Sequence, residues 1–221
     1  MGLSFARFDM AVASTRQGES RVVLNNVRWQ TFEALLAETE SAGSRFTYDE
    51  GDLEIMSPSA EHELIKRRLG RMIETMTMEL EIPIASLGST TFKAEMKRKG
   101  IEPDECYYVA NQPRVQGRME IDLAEDPPPD LVIEVDISSS SLDQLRIYAA
   151  LGVPEVWICD GDTIAIHHLA DDGSYLRRDE SLAFPFLPID QVQHFLDQGK
   201  TVDETIWIRS FRSWVLNALK R

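Results

Sequence analysis

Three acids have the types and spacing to do chemistry: Glu134 and Asp136 within one apolar run, and Asp104 thirty residues earlier. The run, Leu131-Val132-Ile133-Glu134-Val135-Asp136-Ile137, is β-branched and reads as a central strand buried on both faces. Residues two apart on a strand point to the same face about 6–7 Å apart, so Glu134 and Asp136 could both reach one cation or its water. A buried carboxylate needs a partner or a metal. If the strand after Asp104 lies beside this one, the interstrand spacing of about 4.8 Å brings Asp104 into the same shell, and hard oxygen ligands of this kind suit Mg2+ or Mn2+. Asp130 shares the parity of Glu134 but stands about 13 Å away along the strand, and its expected work is capping the strand start after Pro127-Pro128-Pro129. A metal-free reading competes: Asp136 bonds the following serines, Glu134 makes a buried salt bridge, and Asp104 is a turn residue in Glu102-Pro103-Asp104.

Local signals supply the elements that must position these acids. Trp29, Phe32, Leu35 and Leu36 recur at helical spacing within 25–42, and 45–48 and 53–56 flank a Glu50-Gly51 turn as a hairpin. Ser57-Pro58-Ser59 offers a capping hydroxyl and a proline suited to a first helical turn. Ile65, Leu69, Met72, Ile73, Met76 and Leu80 then mark a long helix. Strands are expected near 90–94 and over 105–109, with a charged loop between them and a polar excursion over 114–126. After the acidic strand, the serine run Ser138–Ser141 should cap a helix over 142–151 closed by Gly152. Residues 154–159 and 163–169 make a last hairpin about Asp160-Gly161, on which His167 and His168 point to opposite faces and cannot share an ion. Ile208, Phe211, Trp214, Val215 and Leu219 predict a final helix packed on the rest. The expected class is α/β: a mixed central sheet flanked by helices, with an N-terminal helix-hairpin and a C-terminal helical extension.

At 221 residues and 43% hydrophobic content the chain can bury an ordinary core, and one domain over 1–221 is expected, its core about 30–170 and its extension 171–221. Apolar stretches are short and broken by charge, and Met1 to Ser14 lacks an apolar h-region and a basic flank, so a cytoplasmic protein with no membrane partner is expected. Cys106 and Cys159 lie in apolar segments and read as reduced core residues. A net charge of −14 argues against nonspecific coating of nucleic acid, which needs clustered Lys and Arg. The segment from Lys66 to Lys99 runs the other way, with eight basic residues against four acidic, and reads either as a basic strip or as a solvated helix face and loop.

The order and spacing of four segments carry a resemblance: Met56-Ser57-Pro58 with His62; Glu102-Pro103-Asp104 with Tyr107-Tyr108; Pro129-Asp130-Leu131-Val132-Ile133-Glu134-Val135; and Tyr148-Ala149-Ala150-Leu151-Gly152-Val153-Pro154-Glu155-Val156-Trp157. Through these the chain resembles the Uma family, uncharacterised bacterial proteins assigned to the PD-(D/E)XK nuclease superfamily as restriction endonucleases, over most of 30–170. The resemblance implies a restriction-endonuclease-like core in which Asp104 and Glu134 hold Mg2+ or Mn2+. It adds Glu54, Glu61 or Glu63 as a possible completion of the shell, with His62 close by. The superfamily's lysine two residues after the acid is replaced here by Asp136. The resemblance moves its role to Gln144 on the next helix, which can position water but carries no charge, with Arg146 or Lys93 as other substitutes. Implied in turn are a metal-dependent endonuclease acting on DNA, with Asp104, Glu134, Asp136 and Gln144 as its catalytic set, and a homodimer to reach both strands. The alternative is an inactive nuclease-fold protein acting as a binding or assembly module.

Overall fold

The computed structural model describes residues 10–16, 19–39, 43–138 and 140–220. Most of the Met1–Ser14 segment, on which the absence of a leader was read, lies outside them. The chain opens with an antiparallel pair, β1 (Met10–Arg16) and β2 (Glu19–Leu24). On β2 the alternation is inverted in chemistry: Glu19 and Arg21 take buried positions. Helix α1 (Trp29–Thr39) lays Trp29 and Phe32 on Tyr48 of β3 (Arg45–Asp49), the Phe32 and Tyr48 rings stacking at 4.8 Å. The β3 strand turns into β4 (Asp52–Ser57) through Glu50 and Gly51, both at positive φ (53° and 118°). Two such residues are what a type I′ hairpin demands, and the second is the one that needs no Cβ.

Ser59 Oγ then accepts from His62 N at 3.1 Å and starts α2 (Ala60–Glu79), with Pro58 before the cap rather than inside the first turn. Short strands β5 (Ala85–Ser86), β6 (Phe92–Ala94) and β7 (Lys99–Ile101) lead to β8 (Glu105–Tyr108), and a one-turn helix α3 (Gln112–Val115) opens the excursion before β9 (Leu131–Val135). Asp143, not a serine, caps α4 (Gln144–Leu151) by accepting from Arg146 N at 3.1 Å, because the serines are drawn elsewhere. Gly152 closes α4 at φ 84°. Strands β10 (Glu155–Cys159), β11 (Ile164–Leu169) and β12 (Tyr175–Arg178) follow, then α5 (Ile189–Gly199) and α6 (Glu204–Trp214), which runs on as a π-helical turn Val215–Leu219.

Among the described residues the strands form two six-stranded sheets rather than one. The first, β1-β2-β4-β3-β7-β6, is antiparallel throughout. The second, β12-β11-β10-β9-β8-β5, is mixed: β9 runs parallel to β10 and antiparallel to β8. The class expected from the sequence, a mixed sheet flanked by helices behind a helix-hairpin, is the one found. On one face of the mixed sheet Ile133, Val135 and Trp157 pack with Ile65, Leu69 and Met76 of α2 and with Phe195, Trp207 and Phe211 of α5 and α6. The other face packs Cys106, Val132 and Val156 on Ile147 and Tyr148 of α4, joined by Phe92 and Ile101 of the first sheet. Both cysteines are buried and unpaired. The last crossing from the first sheet to the second runs through Glu102-Pro103-Asp104, between β7 and β8.

Candidate functional site

Asp104 comes to the site as the last residue before β8. The β8–β9 register pairs Glu105 with Ile133 and Cys106 with Val132, so one step further sets Asp104 opposite Glu134. Both are buried, at 1% and 4% exposure. Asp104 Oδ2 accepts from Val135 N at 2.8 Å and Oδ1 meets His62 Nε2 at 2.8 Å, while Arg45 Nε stands 3.8 Å from Oδ1. Glu134 Oε1 accepts from the Tyr148 hydroxyl of α4. Burial and then the charge of Asp104 push the Glu134 carboxyl well above its ordinary value, against the pull of the Tyr148 bond. The structure thus brings the two candidate ligands face to face in a place where two unscreened negative charges are costly.

Around them lies a network that joins the two sheets. His62, fully buried, sits between Asp104 and Glu19, whose Oε1 is 2.8 Å from Nδ1. Burial works against its proton, yet Asp104 and then Glu19 hold the imidazole above its ordinary pKa. Arg21 bonds Ser138 Oγ at 3.0 Å and Glu54 Oε1 at 2.8 Å, with Glu19 and Asp136 each 3.6 Å from Nη2. Glu54 also accepts from Ser140 Oγ at 2.9 Å and Ser141 N at 2.8 Å. In this cluster five carboxylates (Glu19, Glu54, Asp104, Glu134, Asp136) face two guanidiniums and one imidazole.

The other sequence candidates fall at different depths. Asp136 lies just past the end of β9, a quarter exposed and beside Arg21. Gln144 opens α4, half-buried, one turn before Tyr148 and on the same face of the helix. Glu63 stays on the rim with Arg45 and Lys66 at 3.6 Å each, and Glu61 is exposed. Lys93 is exposed and paired with Glu33 at 3.0 Å. Arg146 reaches toward Asp49 and Glu50, not the acids. Asp130 holds the turn after β8, accepting from Val109 N at 2.7 Å and Asn111 N at 2.9 Å. Of the basic residues of 66–99, Lys66 and Lys99 are buried, the latter with Asp49, and Arg71 pairs with Glu204. Arg67, Lys93, Lys97 and Arg98 are exposed, Lys97 bonding the Ala150 carbonyl. A cleft of about 700 Å³ between α1, the start of β3 and the loop before β6 has Arg45 in its wall.

Glu19, Arg21 and Arg45 escaped sequence reasoning. Charges in a short alternating strand read as its solvent face, and no local pattern says otherwise. Among the described residues no three His, Cys, Asp or Glu side chains are grouped to hold one ion, so a metal there would rest on Asp104 and Glu134 with water and substrate oxygens filling its shell.

The family model described as "Uma2: Putative restriction endonuclease" matches residues 29–192. This chain belongs to the Uma2 family. The Uma2 match extends beyond the 30–170 of the sequence resemblance and takes in the first turn of α5. Among solved structures, the chain is similar to one described as a putative nuclease belonging to DUF820 from Anabaena variabilis ATCC 29413. The identity is 14%, 77% of this chain and 91% of that one are covered, and the TM-score is 0.40. No curated protein matches the chain.

Proposed function

We propose that this Uma2 protein is a metal-dependent endonuclease that hydrolyses phosphodiester bonds in DNA. The observation that carries the reading is the pair of buried carboxylates, Asp104 and Glu134, set opposite each other on adjacent strands with too little positive charge around them. Burial and the Asp104 charge oppose ionisation of Glu134, and a divalent cation between the two carboxylates would offset both. Both Asp104 oxygens retain a lone pair beyond the bonds to His62 and Val135, so hard-ion ligation stays open to them. Mg2+ or Mn2+ held there would polarise a phosphoryl oxygen and lower the pKa of a bound water. The chain's own residues do the positioning. Val135 N–H and His62 fix the Asp104 carboxylate and Tyr148 fixes Glu134, while Gln144, one turn from Tyr148, would orient a water. Asp136, its carboxylate beside Arg21, brings no positive charge to the site. A homodimer that cuts both strands belongs to the same proposal.

The second reading, a binding or assembly module that retains a nuclease fold, is favoured by one observation: position 136 carries an acid next to Arg21 where the motif has its lysine. Supercoiled plasmid incubated with Mg2+ or Mn2+ separates the two. Nicking by the wild type that Asp104→Ala and Glu134→Ala each reduce at least about 100-fold supports the nuclease. An inert wild type that also shows no heat of Mg2+ or Mn2+ binding supports the module.

A further inference from the structure

The missing lysine leaves open which cation meets the substrate, and the donors around the acids differ in how far they are already engaged. Arg21 is spent: Nε on Ser138, Nη1 on Glu54, Nη2 between Glu19 and Asp136. Lys66 is buried between Glu63 at 3.6 Å and Ser89 at 3.5 Å, and Lys93 is committed to Glu33. Arg45 is different. Its two ion pairs, Nη2 to Glu63 at 3.6 Å and Nε to Asp104 at 3.8 Å, are both longer than a hydrogen bond, and the buried Nε has no hydrogen-bond partner. A buried donor held without an acceptor is uncommon. This one stands beside Asp104, on the first residue of β3, in the wall of the 700 Å³ cleft. A guanidinium matches the fork geometry of a phosphate, and Arg45 both lines this cleft and stands 3.8 Å from Asp104.

We propose that Arg45 binds the phosphate of a polynucleotide strand in this cleft and supplies beside Asp104 the positive charge that position 136 lacks. This rests on the nuclease reading above.

The test is equilibrium binding of a labelled DNA duplex to the full chain in EDTA, by fluorescence anisotropy at several salt concentrations, for wild type, Arg45→Gln and Arg45→Lys. Loss of one phosphate contact makes the slope of log K against log salt shallower by about 0.9 in Arg45→Gln and weakens binding about 10- to 100-fold. Arg45→Lys keeps the slope and recovers part of the affinity, since it restores the charge without the fork. A folded Arg45→Gln with the wild-type slope and affinity overturns the role of Arg45 alone. A wild type that binds no DNA at any salt in EDTA overturns this inference, and the plasmid assay above decides the nuclease reading on its own. If Arg45→Gln does not fold, the wild type decides: bound duplex should shield Arg45 from phenylglyoxal, read by peptide mass, and equal modification with and without DNA refutes the contact.

Discussion

His62 stands between two buried carboxylates, with Glu19 at Nδ1 and Asp104 at Nε2, both at 2.8 Å. Once protonated, the ring can donate to both, and these two neighbours raise its hold on the proton against the cost of burial. Its contribution is therefore to keep two like charges apart and the Asp104 carboxylate in one orientation. Replacing it with alanine leaves Glu19 and Asp104 buried without their shared cation, a loss of about 3–5 kcal/mol of stability by analogy with other broken buried pairs. His62→Gln, whose amide can still donate to one carboxylate, should lose clearly less. Urea denaturation at pH 7 checks this: the midpoint should fall far more for His62→Ala than for His62→Gln at similar m-value. Equal midpoints for wild type and His62→Ala would mean the ring is not an electrostatic bridge.

At the scale of elements, β7 shows how tightly the first sheet holds α1. Gly100 pairs with Tyr48 of β3 on one side and Lys93 of β6 on the other, and a Cβ there would come within 2.7 and 2.8 Å of the Phe32 ring. Phe32 cannot easily yield, because it is fully buried against Tyr48 and Trp29. Gly100→Ala should therefore cost about 1–3 kcal/mol through overpacking, seen as a lowered thermal midpoint. Phe32→Leu in the same chain should return part of the loss, a coupling that independent sites would not show. Since Arg45 begins the strand beside β7, the packing of α1 also sets where the cleft wall stands.

At the scale of the molecule, the acids lie where the two sheets meet, and polar contacts do much of the joining. Arg21 of β2 bonds Ser138 after β9, and Glu54 of β4 bonds Ser140 and Ser141 before α4. Glu54→Ala removes the nearest carboxylate of a buried guanidinium and the acceptors of the serine run together. A loss of about 3–5 kcal/mol is expected. Amide hydrogen exchange should locate it: Ser141 N–H, bonded to Glu54 at 2.8 Å, should exchange faster by a larger factor than Ile133 N–H in the central strand. A uniform acceleration at both sites would show that the junction is no weaker than the core.

Much of this architecture is legible residue by residue along the chain. The apolar run of β9, the Glu50-Gly51 turn, the Ser59 cap with the apolar stripe of α2, and Gly152 after α4 are each specified by neighbours within a few positions. The spacing of Val192, Phe195 and Leu196 is the same kind of local signal for α5. Local order also brought Asp104 and Glu134 forward as candidates. The tertiary structure alone decided what surrounds them. Glu19 and Ser138 meet across 119 positions, Arg21 and Ser138 across 117, and Arg45 and Asp104 across the change of sheet. The physical reason is that an apolar side chain announces its burial by its type, whereas a charged one is buried only where distant partners offset its desolvation. Such partners are supplied by the fold, not by the neighbours in the chain.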